Sequence, residues 1–315
     1  MSMLSRRKPM HVVTMALNLV GGQNLAWQQR KAASFTCTRT YTGSCRVGYR
    51  PSASYGGAYK SGKQPISLGT AMTISGAAAS PNMGYNSSAL LTLVMTLFNA
   101  RLGWWLGNPR GQADEWRKPG PSWGIRPFID EALGRTSDSN AWVYLSDGGH
   151  FDNLGLYEMA LRRCHLIVVS DSSADPRFAY DDLANAVRKI RIDLGIPIEM
   201  EQDRMPAPLR HCGTARILYS AVDGPDAEDG LLVYLKPCLT GDESPDVANY
   251  ASRDKTFPHQ TTADQFFDEA QFESYRRLGL HTIEVLCGPR NLSLEQFVQA
   301  ARIHAGVSDA SAAGV

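Results

Sequence analysis

At 315 residues, with 43% hydrophobic and 20% charged residues, the chain has a globular composition and the length for one large domain or two ordinary ones. A formal net charge of +1 argues against a nucleic-acid binder that works by neutralising phosphates, since it implies no basic face. Six cysteines are scattered without a Cys-x-x-Cys pair, which reads as reduced thiols in a cytoplasmic protein rather than a disulfide framework.

Ser5-Arg6-Arg7-Lys8 is basic, but the apolar stretch behind it is short and broken by His11, Thr14 and Asn18, so it does not read as a secretory signal. Met10 to Val20 predicts a buried strand ending at Gly21-Gly22, and core structure therefore begins almost at once. Gly43 to Lys63 turns to Gly, Ser, Tyr and Arg without periodicity and predicts a long irregular excursion. Leu68 to Ala79 and Ser88 to Leu102 read as helices, and Pro109 to Pro127 as a connection rich in Gly, Pro and Trp. Ala89 to Leu106 is the most hydrophobic segment, but Asn99, Arg101 and Gly103 leave only about ten clean apolar residues, too few to span a bilayer. A buried helix is expected there; the alternative is a lipid-touching surface, since Trp104 and Trp105 suit a membrane interface.

The strand Trp142-Val143-Tyr144-Leu145 runs into Ser146-Asp147-Gly148-Gly149-His150-Phe151-Asp152-Asn153, and a helix should follow to Arg163. One carboxylate, Asp147, thus stands at a strand end that feeds a helix, where open α/β sheets place their chemistry. Gly148 and Gly149 are expected to shape its turn by accepting left-handed backbone angles, and Asp152 or Asn153 to cap the helix. That would leave Asp147 free to act as a base; the alternative is a turn aspartate capping the next helix. His165 to Asp171 reads as a strand, and Asp182 to Leu194 as an amphipathic helix with Leu183, Val187, Ile190 and Leu194 on one face. Asp171 and Asp175, at the end of that strand, read as loop caps or as lining the pocket of Asp147. Ala215 to Val222 and Gly230 to Leu235 suit two strands joined by a turn. Thr262-Ala-Asp-Gln265 matches a capping box opening a helix to Leu278, with Phe266, Phe267, Phe272 and Tyr275 behind it as core. Ser293 to Ile303 is the last expected helix, and residues 306–315 read as a disordered tail. Strands alternate with helices, so the fold class is α/β.

The block from Asp147 to Glu158, followed by Arg162-Arg163 and a strand ending in Asp171, resembles the aspartate block of the patatin-like lipid acyl hydrolases, and within them the cytosolic phospholipase A2-like branch. Leu17-Asn-Leu-Val-Gly-Gly, Leu25 to Lys31, Ile74 to Gly84 and Phe257 to Gln265 extend the resemblance over most of the chain. It implies a three-layer α/β/α domain in which a serine in a Gly-x-Ser-x-Gly turn attacks a lipid ester. An aspartate then serves as general base, with no cofactor, metal or histidine. That aspartate maps onto Asp147. A hydroxyl needs such a base within reach, and backbone amides to meet the developing oxyanion.

No Gly-x-Ser-x-Gly occurs in the 315 residues. Ser75 comes nearest, but Thr73 and Ala77 stand where the flanking glycines belong, and its bland reading is helix packing. The expectation is therefore an incomplete patatin-like domain over residues 1–305 that lacks its N-terminal nucleophile half. The serine would lie on a separate chain or be lost, and the chain alone would be inactive. Its partners would be a lipid or acyl-ester substrate, a membrane surface and that separate chain, with no nucleic acid. The rival expectation is a non-catalytic lipid- or partner-binding remnant of the same fold. His150 and His165 fit no triad spacing, and an Asp147–His150–Asp152 metal cluster is the weaker alternative to a hydrogen-bonded turn.

Overall fold

The computed structural model describes residues 9–21, 30–57, 66–77, 103–111, 114–122, 135–201, 210–261, 264, 266–288 and 292–307. The chain divides into two compact units, Met1–Asn153 and Leu154–Val315. The helix expected at Ser88–Leu102 and the pattern at Thr262–Gln265 fall wholly or largely outside the described residues, as does most of the tail.

In the first unit β1 (Val12–Asn18), β2 (Ala32–Thr38), β3 (Tyr41–Ser44), β4 (Gly48–Pro51), β5 (Trp104–Gly107) and β6 (Trp142–Asp147) form one sheet. Its order is β4-β3-β2-β1-β6-β5, and every pairing is antiparallel. Side chains alternate across a strand, so Val13, Met15 and Leu17 of β1 reach one face together with Phe35 and Cys37 of β2 and Val143 and Leu145 of β6. Helix α1 (Leu68–Ser75) lies on that face through Ala71 and Ile74, three residues apart. Removing a side chain the size of Phe35 from water contributes about 1.5–3 kcal/mol, which is why this face sets the register.

The stretch 43–63, expected to be irregular, opens instead with the β3–β4 hairpin, in which Ser44 pairs with Gly48 and Val47 is buried in the loop. Composition concealed it because the strands are four residues each. Trp104–Gly107 is a strand and not the end of a helix; Trp105 is buried against Tyr144, with ring centroids 5.1 Å apart, and Trp104 is exposed.

The second unit holds α2 (Leu156–Leu161), β7 (Leu166–Ser170), α3 (Asp181–Leu194), β8 (Ile198–Met200), β9 (Cys212–Ile217), α4 (Ser220–Asp223), β10 (Gly230–Leu235), α5 (Pro245–Arg253), α6 (Glu269–Cys287) and α7 (Leu294–Ala305). Its sheet runs β7-β10-β9-β8; β7 and β10 are parallel, and the other pairs antiparallel. Strand β9 stops at Ile217 rather than continuing to Val222, because Asp229 Oδ1 takes the Ser220 amide at 3.0 Å and turns the chain into α4. Helix α6 starts later and runs further than expected. Asp268 caps it by accepting from the Gln271 amide at 2.7 Å, and it reaches Cys287. Ser293 and Gln296 form a complete capping box on α7. Of the aromatic residues expected as core behind residue 265, Tyr275 packs with Phe257 and Leu278, but Phe266, Phe267 and Phe272 are exposed. The architecture is mixed α and β, and all six cysteines are free thiols.

Candidate functional site around Asp147

Strand β6 pairs with β1 over Leu145–Asp147 against Met15–Leu17, with Asp147 opposite Met15. Asp147 is half-buried, and its Oδ1 accepts the Gly149 amide at 2.7 Å. It is thus the N-cap of a one-turn 3-10 helix, Gly148–His150. The backbone turns on because the Phe151 and Asp152 amides both donate to the Gly148 carbonyl, at 3.0 and 2.9 Å. The expectation that Asp152 or Asn153 caps the following helix is corrected. The N-cap of α2 is Gly155, left-handed at φ 68°, with no side-chain cap. Asp147 is therefore not wholly free: one oxygen orders the turn.

The two glycines act by space rather than by backbone freedom. Neither has a left-handed φ. A Cβ on Gly148 would stand 2.8 Å from the Thr14 carbonyl oxygen, and one on Gly149 would stand 3.1 Å from Asp147 Oδ1 and 2.9 Å from Asn153 Oδ1. Gly148→Ala is expected to destabilise the first unit by about 1–3 kcal/mol, read as a lower urea midpoint with an unchanged slope. A loss below about 0.5 kcal/mol would show that the β1 backbone yields at no cost.

Thr14 lies one residue beyond the β1–β6 ladder, and its carbonyl is taken by Ser75 Oγ at 2.7 Å. The fold thus brings Ser75 and the Asp147 turn to the same segment of β1. Ser75 is the last residue of α1, however, and its hydroxyl donates to Thr14 and not to Asp147. The free amides of a helix lie at its other end, so this position offers no helix-terminal donors for an oxyanion. Ser75 sits where a packing serine would.

A network missed by sequence reading lies beside the turn. The Asn18 amide Nδ2 donates to Ser146 Oγ at 2.9 Å, and Ser146 Oγ lies 3.0 Å from His150 Nδ1. Asn18 and Ser146 are fully buried. Ser146 Oγ accepts from Asn18 and has both a proton and a second lone pair for His150 Nδ1, so either ring tautomer satisfies this contact. The one legible signal was an asparagine ending a mostly apolar strand.

Asp171 and Asp175 belong to the second unit, and both are loop caps there. Asp175 takes the Ala179 and Tyr180 amides at 2.8 and 2.9 Å. Asp171 is buried; its Oδ1 accepts from Ser173 N and Oγ at 2.9 and 2.6 Å, its Oδ2 from Tyr234 OH at 2.5 Å, and buried Lys236 stands 3.2 Å away. Burial alone would raise this carboxyl, but the hydroxyls of Ser173 and Tyr234 and the Lys236 ammonium hold it below the usual range. Arg163 was expected to end the helix that follows Asp147. It has left the helix at φ 55° and forms a two-pronged pair with Asp223 of α4. His165, at the start of β7, faces Glu228 at 3.1 Å on the surface. Among the described residues, metal-type ligand atoms converge within 4.8 Å at Asp242, Glu243 and His281, and not at Asp147, His150 and Asp152.

No protein-family model matches the sequence, and no curated protein matches it either. Among solved structures, human GIVD cytosolic phospholipase A2 is similar, with a TM-score of 0.51 at 14% identity over 96% of this chain. The fold resembles that of a cytosolic phospholipase A2. The chain spans 45% of that protein's length. No helix among the described residues is long and apolar enough to cross a membrane.

Proposed function

We propose that this chain carries the aspartate of a cytosolic phospholipase A2-like lipid acyl hydrolase, with Asp147 as general base of a Ser–Asp dyad acting on a glycerophospholipid or other acyl ester. The observation that supports it is Asp147 itself: half-buried at the end of β6 and oriented by one hydrogen bond that the Gly149 amide donates to Oδ1. A base must be held in place before it can take a proton from a hydroxyl. The three-layer α/β/α arrangement, and Gly148 and Gly149 as the residues that let the turn lie close to β1, belong to the same reading. No metal or cofactor enters the chemistry. The second reading, a non-catalytic lipid- or partner-binding scaffold, is favoured by the same hydrogen bond, because a capping aspartate needs no chemistry to be useful.

With no Gly-x-Ser-x-Gly turn in its sequence, the purified chain is expected to hydrolyse short-chain acyl esters no faster than buffer. It is also expected to take no fluorophosphonate label. Mass spectrometry of the treated, folded chain checks this. A label on Ser75 or any other serine would replace the proposal with a self-sufficient enzyme.

A further inference from the structure

The second unit gathers three histidines. His211, just before β9, is fully buried. Its ring stacks on His304 from the last turn of α7, with centroids 6.0 Å apart and planes at 19°, and meets His281 of α6 edge-on at 5.7 Å. His211 Nδ1 lies 3.3 Å from Cys238 Sγ and 3.4 Å from Thr282 Oγ1. The Nε2 atoms of His211 and His304 are both buried without a hydrogen-bond partner. His281 differs, since its Nε2 faces the exposed Asp242 at 3.1 Å.

Neutral imidazole carries one N–H and imidazolium two. Whichever tautomer the neutral ring adopts, a charged His211 or His304 must carry an N–H at its buried Nε2, where no acceptor meets it, whereas the neutral ring can leave that nitrogen bare. Charging both also sets two cations one stacking distance apart. The other groups facing them are Arg210, which reaches the Ala305 carbonyl at 2.5 Å, and Cys212, whose Sγ lies 3.5 Å from the Ala301 carbonyl. Past β10 stand Cys238, Asp242 and Glu243; α6 adds His281, and Arg302 of α7 is occupied by Glu201 at 2.6 Å. The acids pull His211 toward charge, yet burial, His304 and His281 outweigh them and hold it below its ordinary value. Burial and then Arg210 do the same for His304.

We propose that the His211–His304 stack is an acid-sensitive clasp: it holds α7 against β9 and α6 at neutral pH and releases the helix in mildly acidic surroundings. The sign follows from linkage. A released ring regains the ordinary value of about 6.5 and binds protons before the packed ring does. The clasp is therefore at full strength above that pH and weakens as pH falls through it toward the folded values. Each unit of depression in either ring is worth about a tenfold change in opening.

Hydrogen exchange of the amides in residues 294–305 of the full chain, at about pH 7.5 and about pH 5.5 and corrected for intrinsic rates, tests the clasp. Protection is expected to fall about tenfold or more on acidification, and His304→Gln to make that loss smaller by about threefold or more, the remainder coming from His211, which stays buried. Unchanged protection in the parent, or an equal acid loss in the variant, would overturn the proposal. Should His304→Gln not fold, NMR titration of the two rings in the parent chain decides. Midpoints below about 6.5 for both support the clasp, and a midpoint at or above it for either ring sinks it.

Discussion

Asp147→Asn is expected to leave the chain folded with its stability within about 0.5 kcal/mol of the parent, while removing its capacity to act as a base. Asparagine keeps an oxygen to accept the Gly149 amide, so the 3-10 cap survives; it cannot take a proton. Asp147→Ala loses both and is expected to cost about 0.5–2 kcal/mol. The pair of variants therefore separates capping from chemistry. Where the chain is expressed together with the coding sequence immediately upstream of it, any acyl-ester hydrolysis should drop about 10²–10⁴-fold in Asp147→Asn. Hydrolysis that survives this substitution would remove Asp147 from the mechanism and leave the capping role as its whole function.

Lys236→Met is expected to destabilise the second unit by about 3–5 kcal/mol, the largest loss anticipated for a substitution remote from Asp147. Lys236 and Asp171 are both almost fully buried and stand 3.2 Å apart. Lys236 Nζ also donates to the Ser173 carbonyl at 3.0 Å and lies 3.2 Å from its hydroxyl. Removing the cation leaves a buried carboxylate facing only the hydroxyls of Ser173 and Tyr234 and the Ser173 amide. Asp171→Asn with Lys236→Met should recover part of the loss, because the stranded charge is gone. Urea unfolding of the two variants reads both effects. A single-variant loss under about 1 kcal/mol would mean that water reaches the pair on little rearrangement. The pH dependence has a definite sign. The Asp171 carboxyl is held below its unfolded value of about 3.9, so its contribution is present above that pH and is lost as pH falls further.

Several local features were legible before any coordinates. The apolar run from Val12 to Leu17 made a strand, the Leu183 and Ile190 spacing made α3, and the aspartate did fall at the end of β6. Other expectations failed because a distant partner overrode the local pattern. Asp229 turned Ser220 out of its strand, and Thr14, more than 130 positions before Gly148 in sequence, is what requires a glycine there. Phe266 and Phe272 look like core by residue type, yet they are exposed while Tyr275 carries the packing.

The division has a physical basis. Helix periodicity, strand alternation and a carboxylate followed by two small residues depend on neighbours within a few positions, so the amino-acid order settled them. The placement of β1 between β2 and β6, the approach of Ser75 to Thr14, the Asn18–Ser146–His150 chain, the buried Lys236–Asp171 pair and the stacked histidines all join residues tens of positions apart. Such pairs are selected by burial and hydrogen-bond satisfaction across the whole fold, and a linear pattern carries no trace of which polar group will meet which. The strand end that carries Asp147 and the cap it makes two residues on are local; that the turn behind it would press on the Thr14 carbonyl and leave no room for a Cβ at Gly148 was decided only when β6 met β1.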